Sequence, residues 1–159
     1  FLQCAPMKPL KGSQALRKGR FSTGSQPYLV TTTVHQRQVF LQTRGAAEIV
    51  LSALHWLENE RGSTLSSAVV MPDHVHFIIE PGRVSLAQLV HSFKSFTANR
   101  INSLLGRSGP FWQAQYHDHA IRQDEVLNDV VLYLLNNPVR AGLVPDFHDW
   151  PFWYCKWKM

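Results

Sequence analysis

The chain is poor in cysteine: Cys4 and Cys155 are its only two in 159 residues, they sit at opposite ends, and no C-x-x-C occurs. One bridge between them is open, but a disulfide framework is not, and a reduced cytoplasmic setting is the simpler expectation. No apolar run approaches the ~20 residues that span a bilayer, so no membrane partner is expected. The N-terminus lacks the continuous apolar core of a signal peptide, and its basic part follows the first apolar residues instead of preceding them. Internal repeats and low-complexity segments are also missing. The first methionine is Met7, so residues 1–6 are expected to be read-through or a fragment boundary.

What is present is an ordinary globular composition, 45% hydrophobic, in a chain long enough for one domain with a proper core. Sixteen Lys and Arg against eleven Asp and Glu leave +5 and a pI near 9.5. That balance favours an anionic partner, nucleic acid first. Residues 1–26 read as a basic flexible arm, 27–152 as the domain, and 153–159 as a short tail. The aromatic stretch Asp146–Met159 is expected to pack back on the domain.

Tyr28–His35 is β-branched and follows Pro27, which predicts a strand. Val50, Leu54 and Leu57 recur at helical spacing over 45–60, before Arg61-Gly62. Leu65–Val70 and His74–Glu80 predict two strands joined by a turn at Met71-Pro72-Asp73. The longest helix is expected over 85–105, opened by Ser85 as N-cap, with a stripe of Leu86, Leu89, Val90, Phe93 and Leu104. Phe111–Arg122 reads as extended. A last helix is expected from about Asp124 to Asn137, where Pro138 must end it. Strands joined by a tight turn cannot be parallel neighbours. The order therefore predicts an α+β sandwich, an antiparallel sheet with helices packed on one face.

The stretch M-P-D-H-V-H-F-I-I-E at 71–80 is the first that carries chemistry. Eight histidines in 159 residues give about 0.4 H-x-H patterns by chance, so the pattern means little alone. Strand alternation nevertheless puts His74 and His76 on one face and Val75, Phe77 and Ile79 on the other. Two imidazoles side by side are half of a divalent-metal site. His117 and His119 form a second pair that could compete for a metal or join the same cleft, but their polar flanks favour an exposed strand.

On the last helix, Val126, Leu127, Val130, Val131 and Leu134 make the apolar stripe. Tyr133 and Asn137 fall one turn apart on its border. A tyrosine there is ordinarily a half-buried core residue with its hydroxyl in water. The alternative is a nucleophilic phenol, with Asn137 giving its amide oxygen to a metal. A phenol is a weak nucleophile at neutral pH and needs a base or a metal-polarised electrophile.

P-D-H-V-H-F-I-I, W-Q-A-Q-Y-H-D-H-A-I-R and V-V-L-Y-L-L-N-N-P-V-R-A-G-L-V, in that order, resemble the REP-associated tyrosine transposases. These are single-copy relatives of the HUH-class transposases (IS200-like) that mobilise single-stranded DNA. The likeness runs from about Gly24 to Phe152. It implies a ferredoxin/RRM-like HUH nuclease sandwich in a bacterial cytoplasmic protein, nucleoid-associated when bound to DNA. It also implies that His74 and His76 hold Mg²⁺ or Mn²⁺ and that Asn137 completes the metal shell. Tyr133 corresponds to the residue that attacks a DNA phosphate, leaving a 5′-phosphotyrosine and a free 3′-OH. The partner implied is single-stranded, hairpin-forming repeat DNA. Candidate DNA contacts are Arg37, Lys94, Arg100, His119, Arg122 and Arg140 around the cleft, with Arg17, Lys18 and Arg20 on the arm.

Two further readings stand beside this one. A non-catalytic binder of single-stranded nucleic acid could use the same sandwich, and a small metal hydrolase could use His74, His76 and His119. Monomer and homodimer are both compatible with the sequence.

Overall fold

The structure, a computed structural model, describes residues 26–122 and 124–159. Strand β1 (Tyr28–Thr33) leads through two short 3-10 turns to α1 (Arg44–Arg61), then to the antiparallel pair β2 (Thr64–Met71) and β3 (His74–Glu80). Helix α2 (Leu86–Leu105), β4 (His117–Ala120), α3 (Leu127–Leu135), the single turn α4 (Asn137–Arg140) and β5 (Trp153–Cys155) complete the chain. Every adjacent pair in the sheet order β4-β1-β3-β2-β5 is antiparallel. The β-α-β-β-α-β order with β1 and β3 adjacent is the ferredoxin-like arrangement, so the expected α+β class holds.

Local chemistry explains the boundaries. Gly62 closes α1 at φ 64°, and Gly106 closes α2 at φ 62°, conformations in which a Cβ would be strained. At the other end of α2, Ser85 Oγ accepts from the Gln88 N–H while the Gln88 side chain accepts from the Ser85 N–H, a full capping box. The stripe of α2 differs from the expected one at its end: Leu104 is half-exposed, and Thr97 and Ile101 are buried instead. Phe111–Arg122 forms a strand only over His117–Ala120. Trp153–Cys155, read from sequence as the start of a tail, pairs with β2 as an edge strand and extends the sheet.

The sheet has two buried faces, divided by the pleat. Val30, Ala68, Val70, Val75, Phe77 and Ile79 share a core with Val50, Leu54 and Leu57 of α1 and Leu89, Val90 and Phe93 of α2. Val69, Met71 and Ile78 point the other way and pack with Val131, Leu134 and Leu135 of α3. Two helices thus lie on one face, as expected, but α3 covers the opposite one. The reason is legible in β2: residues 65–71 are buried throughout, so both of its faces need a cover.

The last helix also stops earlier than expected, at Leu135. Pro138 has no N–H for the Leu134 carbonyl four residues back. The Asn137 side-chain amide takes its place, donating to Leu134 O at 2.7 Å, and the chain restarts as α4. Ser85→Ala removes the α2 cap and is expected to cost about 1 kcal/mol. In a chain of this size that lowers Tm by roughly 2–4 °C, readable by calorimetry.

Candidate functional site

Cross-strand partners share a face, so the register of β3 defines what surrounds the two histidines. His76 lies between Thr31 of β1 and Val69 of β2, and His74 between Thr33 and Met71. Val69 and Met71 are the residues on which α3 packs. The helix bearing Tyr133 is therefore seated on the same face as the imidazoles and immediately beside them.

Both rings are oriented through Nδ1. His76 Nδ1 is 2.7 Å from Thr31 Oγ1, and His74 Nδ1 is 2.5 Å from Asp73 Oδ1. The rings meet edge to face, with centroids 4.7 Å apart. With both Nδ1 atoms engaged, each ring has Nε2 left for a ligand. An imidazole fixed by a carboxylate or hydroxyl through one nitrogen is the usual form of a metal-ligating histidine.

Asp73 is itself held from behind. Arg37 Nε reaches Asp73 Oδ2 at 3.1 Å. Burial tends to raise the Asp73 carboxyl, but its hydrogen bond to His74 and the charges of His74 and Arg37 outweigh this and lower its pKa. Arg37 and its neighbour Gln36 adopt left-handed backbone, φ 54° and 53°, uncommon for residues with a Cβ. Backbone bonds from Val34 N to Asp73 O (2.8 Å) and from Leu41 N to Pro72 O (3.0 Å) bind this connection to the β2–β3 turn.

Burial lowers the pKa of His76 to about 3, helped by the charges of His74 and Arg140 and opposed by Asp73. His76 is thus a neutral imidazole, the form that can donate a lone pair. The Arg140 effect also locates Tyr133. The Arg140 guanidinium carbon lies 3.9 Å from the centre of the Tyr133 ring, and its Nη1 donates to the Tyr133 carbonyl at 2.7 Å. One cation therefore sits over the phenol, and its charge is among those that lower the pKa of His76. Asn137 gives its N–H to Leu134 and keeps Oδ1 outside any hydrogen bond among the described residues.

Of the other expected contacts, the structure brings only Arg37 and Arg140 to this cluster. Lys94 donates to the carbonyls of Gln113 (2.5 Å) and Ala114 (3.2 Å), holding the loop before β4. Arg100 lies over Phe96 on α2, across the sheet. His119 shares the histidine face and pairs through Nε2 with Glu125, at 2.9 and 3.1 Å, which clasps β4 to the turn before α3. Burial tends to raise Glu125, but the Arg122 N–H, the His119 hydrogen bond and both their charges lower it. Arg122 thereby takes part in this clasp through its backbone N–H, 3.0 Å from Glu125 Oε1. Arg17, Lys18 and Arg20 lie outside the described residues, as does the arm over 1–25.

Two members of the cluster went unnoticed in the sequence reading. Asp73 had a signal, its place directly before His74. Thr31 had none, since one of three threonines is chosen only by the register of β1 on β3. Among the described residues no three His, Cys, Asp or Glu side chains form a metal cage. The donors that remain, two neutral-capable imidazoles and an amide oxygen, fit a divalent ion of intermediate hardness.

A sequence model of the family described as "Transposase IS200 like" matches residues 23–137, well over half of the chain. The chain belongs to the IS200-like transposase family. It is 28% identical over 97 residues to a Haemophilus influenzae protein assigned as a REP-associated tyrosine transposase, a match covering 52% of this chain and 53% of that one. To the REP-associated tyrosine transposase of Escherichia coli K12 it is 26% identical over 107 residues, covering 66% and 62%. The chain thus spans between half and two thirds of the length of these relatives. A solved REP-associated tyrosine transposase bound to a REP hairpin shares the fold, with TM-score 0.68 and 24% identity over 84% of this chain and 79% of the other. No helix among the described residues is long and apolar enough to cross a membrane.

The depressed pKa of His76 carries a sign. The unfolded state binds its proton near pH 6.5 and the folded state only near 3, so stability from this group is lost as pH falls through that window. Imidazole NMR from pH 7 to 4 is expected to leave His76 untitrated, and Arg140→Ala is expected to raise its pKa.

Proposed function

We propose that this IS200-like transposase cuts and rejoins single-stranded DNA at hairpin-forming repeats, with Tyr133 as nucleophile. The observation that carries the reading is that α3 packs on Val69 and Met71, the cross-strand partners of His76 and His74, and bears Tyr133 with the Arg140 guanidinium over its ring. A tyrosine serving only to fill the stripe has no need of a cation over its ring and an oriented imidazole pair beside it.

In this reading the Tyr133 oxygen attacks a backbone phosphorus as its proton leaves. The bond to the 3′-oxygen breaks, and that oxygen departs as a protonated 3′-OH. The 5′-phosphate stays on the tyrosine. Because one phosphodiester replaces another, an incoming 3′-OH can reverse the step and rejoin a strand without an energy-rich cofactor. Arg140 stands where it can neutralise the phosphate that approaches the phenol. His74 and His76, through Nε2, and Asn137, through its amide oxygen, would hold Mg²⁺ or Mn²⁺. Such an ion polarises a phosphate and offsets charge in the transition state. Asp73 and Thr31 keep the two rings aimed, and Arg37 keeps Asp73 in place.

The relatives named as REP-associated tyrosine transposases, and the solved one carrying a REP hairpin, support hairpin DNA as the partner. Tyr133→Phe is expected to abolish the covalent adduct with labelled hairpin DNA on denaturing gels while binding stays nearly intact. An adduct in the Phe variant rules Tyr133 out as nucleophile, and binding without any wild-type adduct selects the non-catalytic reading. Asp73→Asn is expected to weaken Mn²⁺ binding by roughly 10- to 100-fold, measured by calorimetry on the DNA-free protein.

A further inference from the structure

On the far side of the sheet from Tyr133, the antiparallel helices α1 and α2 expose a pair of aromatic rings. Trp56 and Phe96 lie 6.1 Å apart with 5° between their planes, and they are 40% and 39% exposed. Neither completes the core, which Phe77, Phe93 and Trp112 fill. A cation flanks each ring: the Arg61 guanidinium is 5.7 Å from the centre of Trp56 and that of Arg100 is 5.4 Å from Phe96. Neither arginine forms an ion pair among the described residues. Arg61 also lines, with Gln88, His91 and Ser92, an open pocket of about 350 Å³ at the α1–α2 seam. Pocket, Arg61, Trp56, Phe96 and Arg100 therefore form one continuous strip.

Its chemistry selects the occupant. The exposed neighbours Ser52, Asn59, Glu60, Ser95 and Asn99 are polar. Two rings in such surroundings fall far short of the ~800 Å² per partner of a stable protein interface. Aromatic faces interleaved with guanidinium groups match single-stranded nucleic acid, whose bases stack on the rings while its phosphates meet the cations. The net charge of +5 points the same way.

We infer that the Trp56–Phe96 strip is a second contact surface for single-stranded DNA, separate from the Tyr133 cluster. It rests on the reading that the partner is single-stranded DNA. It adds a place for strand outside the hairpin, held across the sheet from the site of cutting.

The test uses a fluorescein-labelled dT 20-mer, which forms no hairpin, and fluorescence anisotropy. Trp56→Ala/Phe96→Ala is expected to weaken binding about tenfold or more in a variant that still melts cooperatively, at a somewhat lower temperature because each ring is partly buried. Arg61→Ala/Arg100→Ala is expected to reduce the slope of log affinity against log salt by about 1.4, the share of two phosphate contacts on a single strand. Wild-type protein that binds the 20-mer but forms no adduct with hairpin DNA fails the nucleophile assignment alone, and a ring variant that keeps full 20-mer affinity fails the strip alone, so the two failures are read separately. Wild-type affinity in the ring variant overturns the inference, as does absence of 20-mer binding by the wild type. A wild-type dimer in sedimentation that the ring variant dissolves assigns the strip to a second copy and overturns it too.

Discussion

The pleat of β3 is the constraint on which the molecule depends. Val75, Phe77 and Ile79 anchor α1 and α2 beneath the sheet, while His74 and His76 are carried to the other face by the same alternation. A slip of one residue would put both imidazoles into the apolar core under α1 and α2 and move Val75, Phe77 and Ile79 to the face of the polar patch. Register is therefore enforced by several kilocalories of burial, at about 1.5–3 kcal/mol for each large apolar side chain. The position of the imidazoles inherits that rigidity.

On the histidine face the sheet is divided again. Val69, Met71 and Ile78 receive α3, and the polar remainder, with Thr31, Thr33 and the two histidines, is left beside it. Packing of α3 thus does two things. It closes the second core, and it seats the helix that bears Tyr133 on the face of the polar patch. The helix ends where it does because of Pro138, and the same proline leaves the Leu134 carbonyl needing a donor, which the Asn137 side chain supplies at 2.7 Å. Arg140, one turn on, donates to the Tyr133 carbonyl at 2.7 Å and is thereby held over the phenol. Local capping chemistry and the proposed catalytic arrangement use the same side chains.

Much of this was legible in the sequence. The strand over His74–Glu80, the capped helix after Ser85 and the antiparallel sheet follow from alternation, capping and tight turns. That the helix bearing Tyr133 lies on the imidazole face was not legible from periodicity, which places a residue on a stripe and not over a particular strand. What escaped was non-local. Thr31 is selected by strand register, Lys94 is drawn to loop carbonyls nineteen and twenty residues on, and His119 is claimed by Glu125 six residues later. A basic or imidazole side chain near a cleft in sequence has competing partners that only the folded chain brings near.

The Arg37 connection shows where the site's rigidity comes from. Two non-glycine residues in left-handed backbone cost roughly 1–3 kcal/mol each. The Arg37–Asp73 pair is two-thirds exposed on the arginine side, and such pairs contribute about 0–1 kcal/mol. The ion pair therefore cannot offset the strain by itself. What sustains it is the backbone network around the turn, Val34 N to Asp73 O, His35 N to Phe111 O, Leu41 N to Pro72 O and Gln113 N to Thr33 O. Strain that persists beside Asp73, held by bonds from three separate segments, fits a carboxylate whose task is to keep His74 aimed in the absence of any ligand. Orientation before binding suits the proposed metal-assisted reaction, since rings already aimed would lose little freedom on holding an ion.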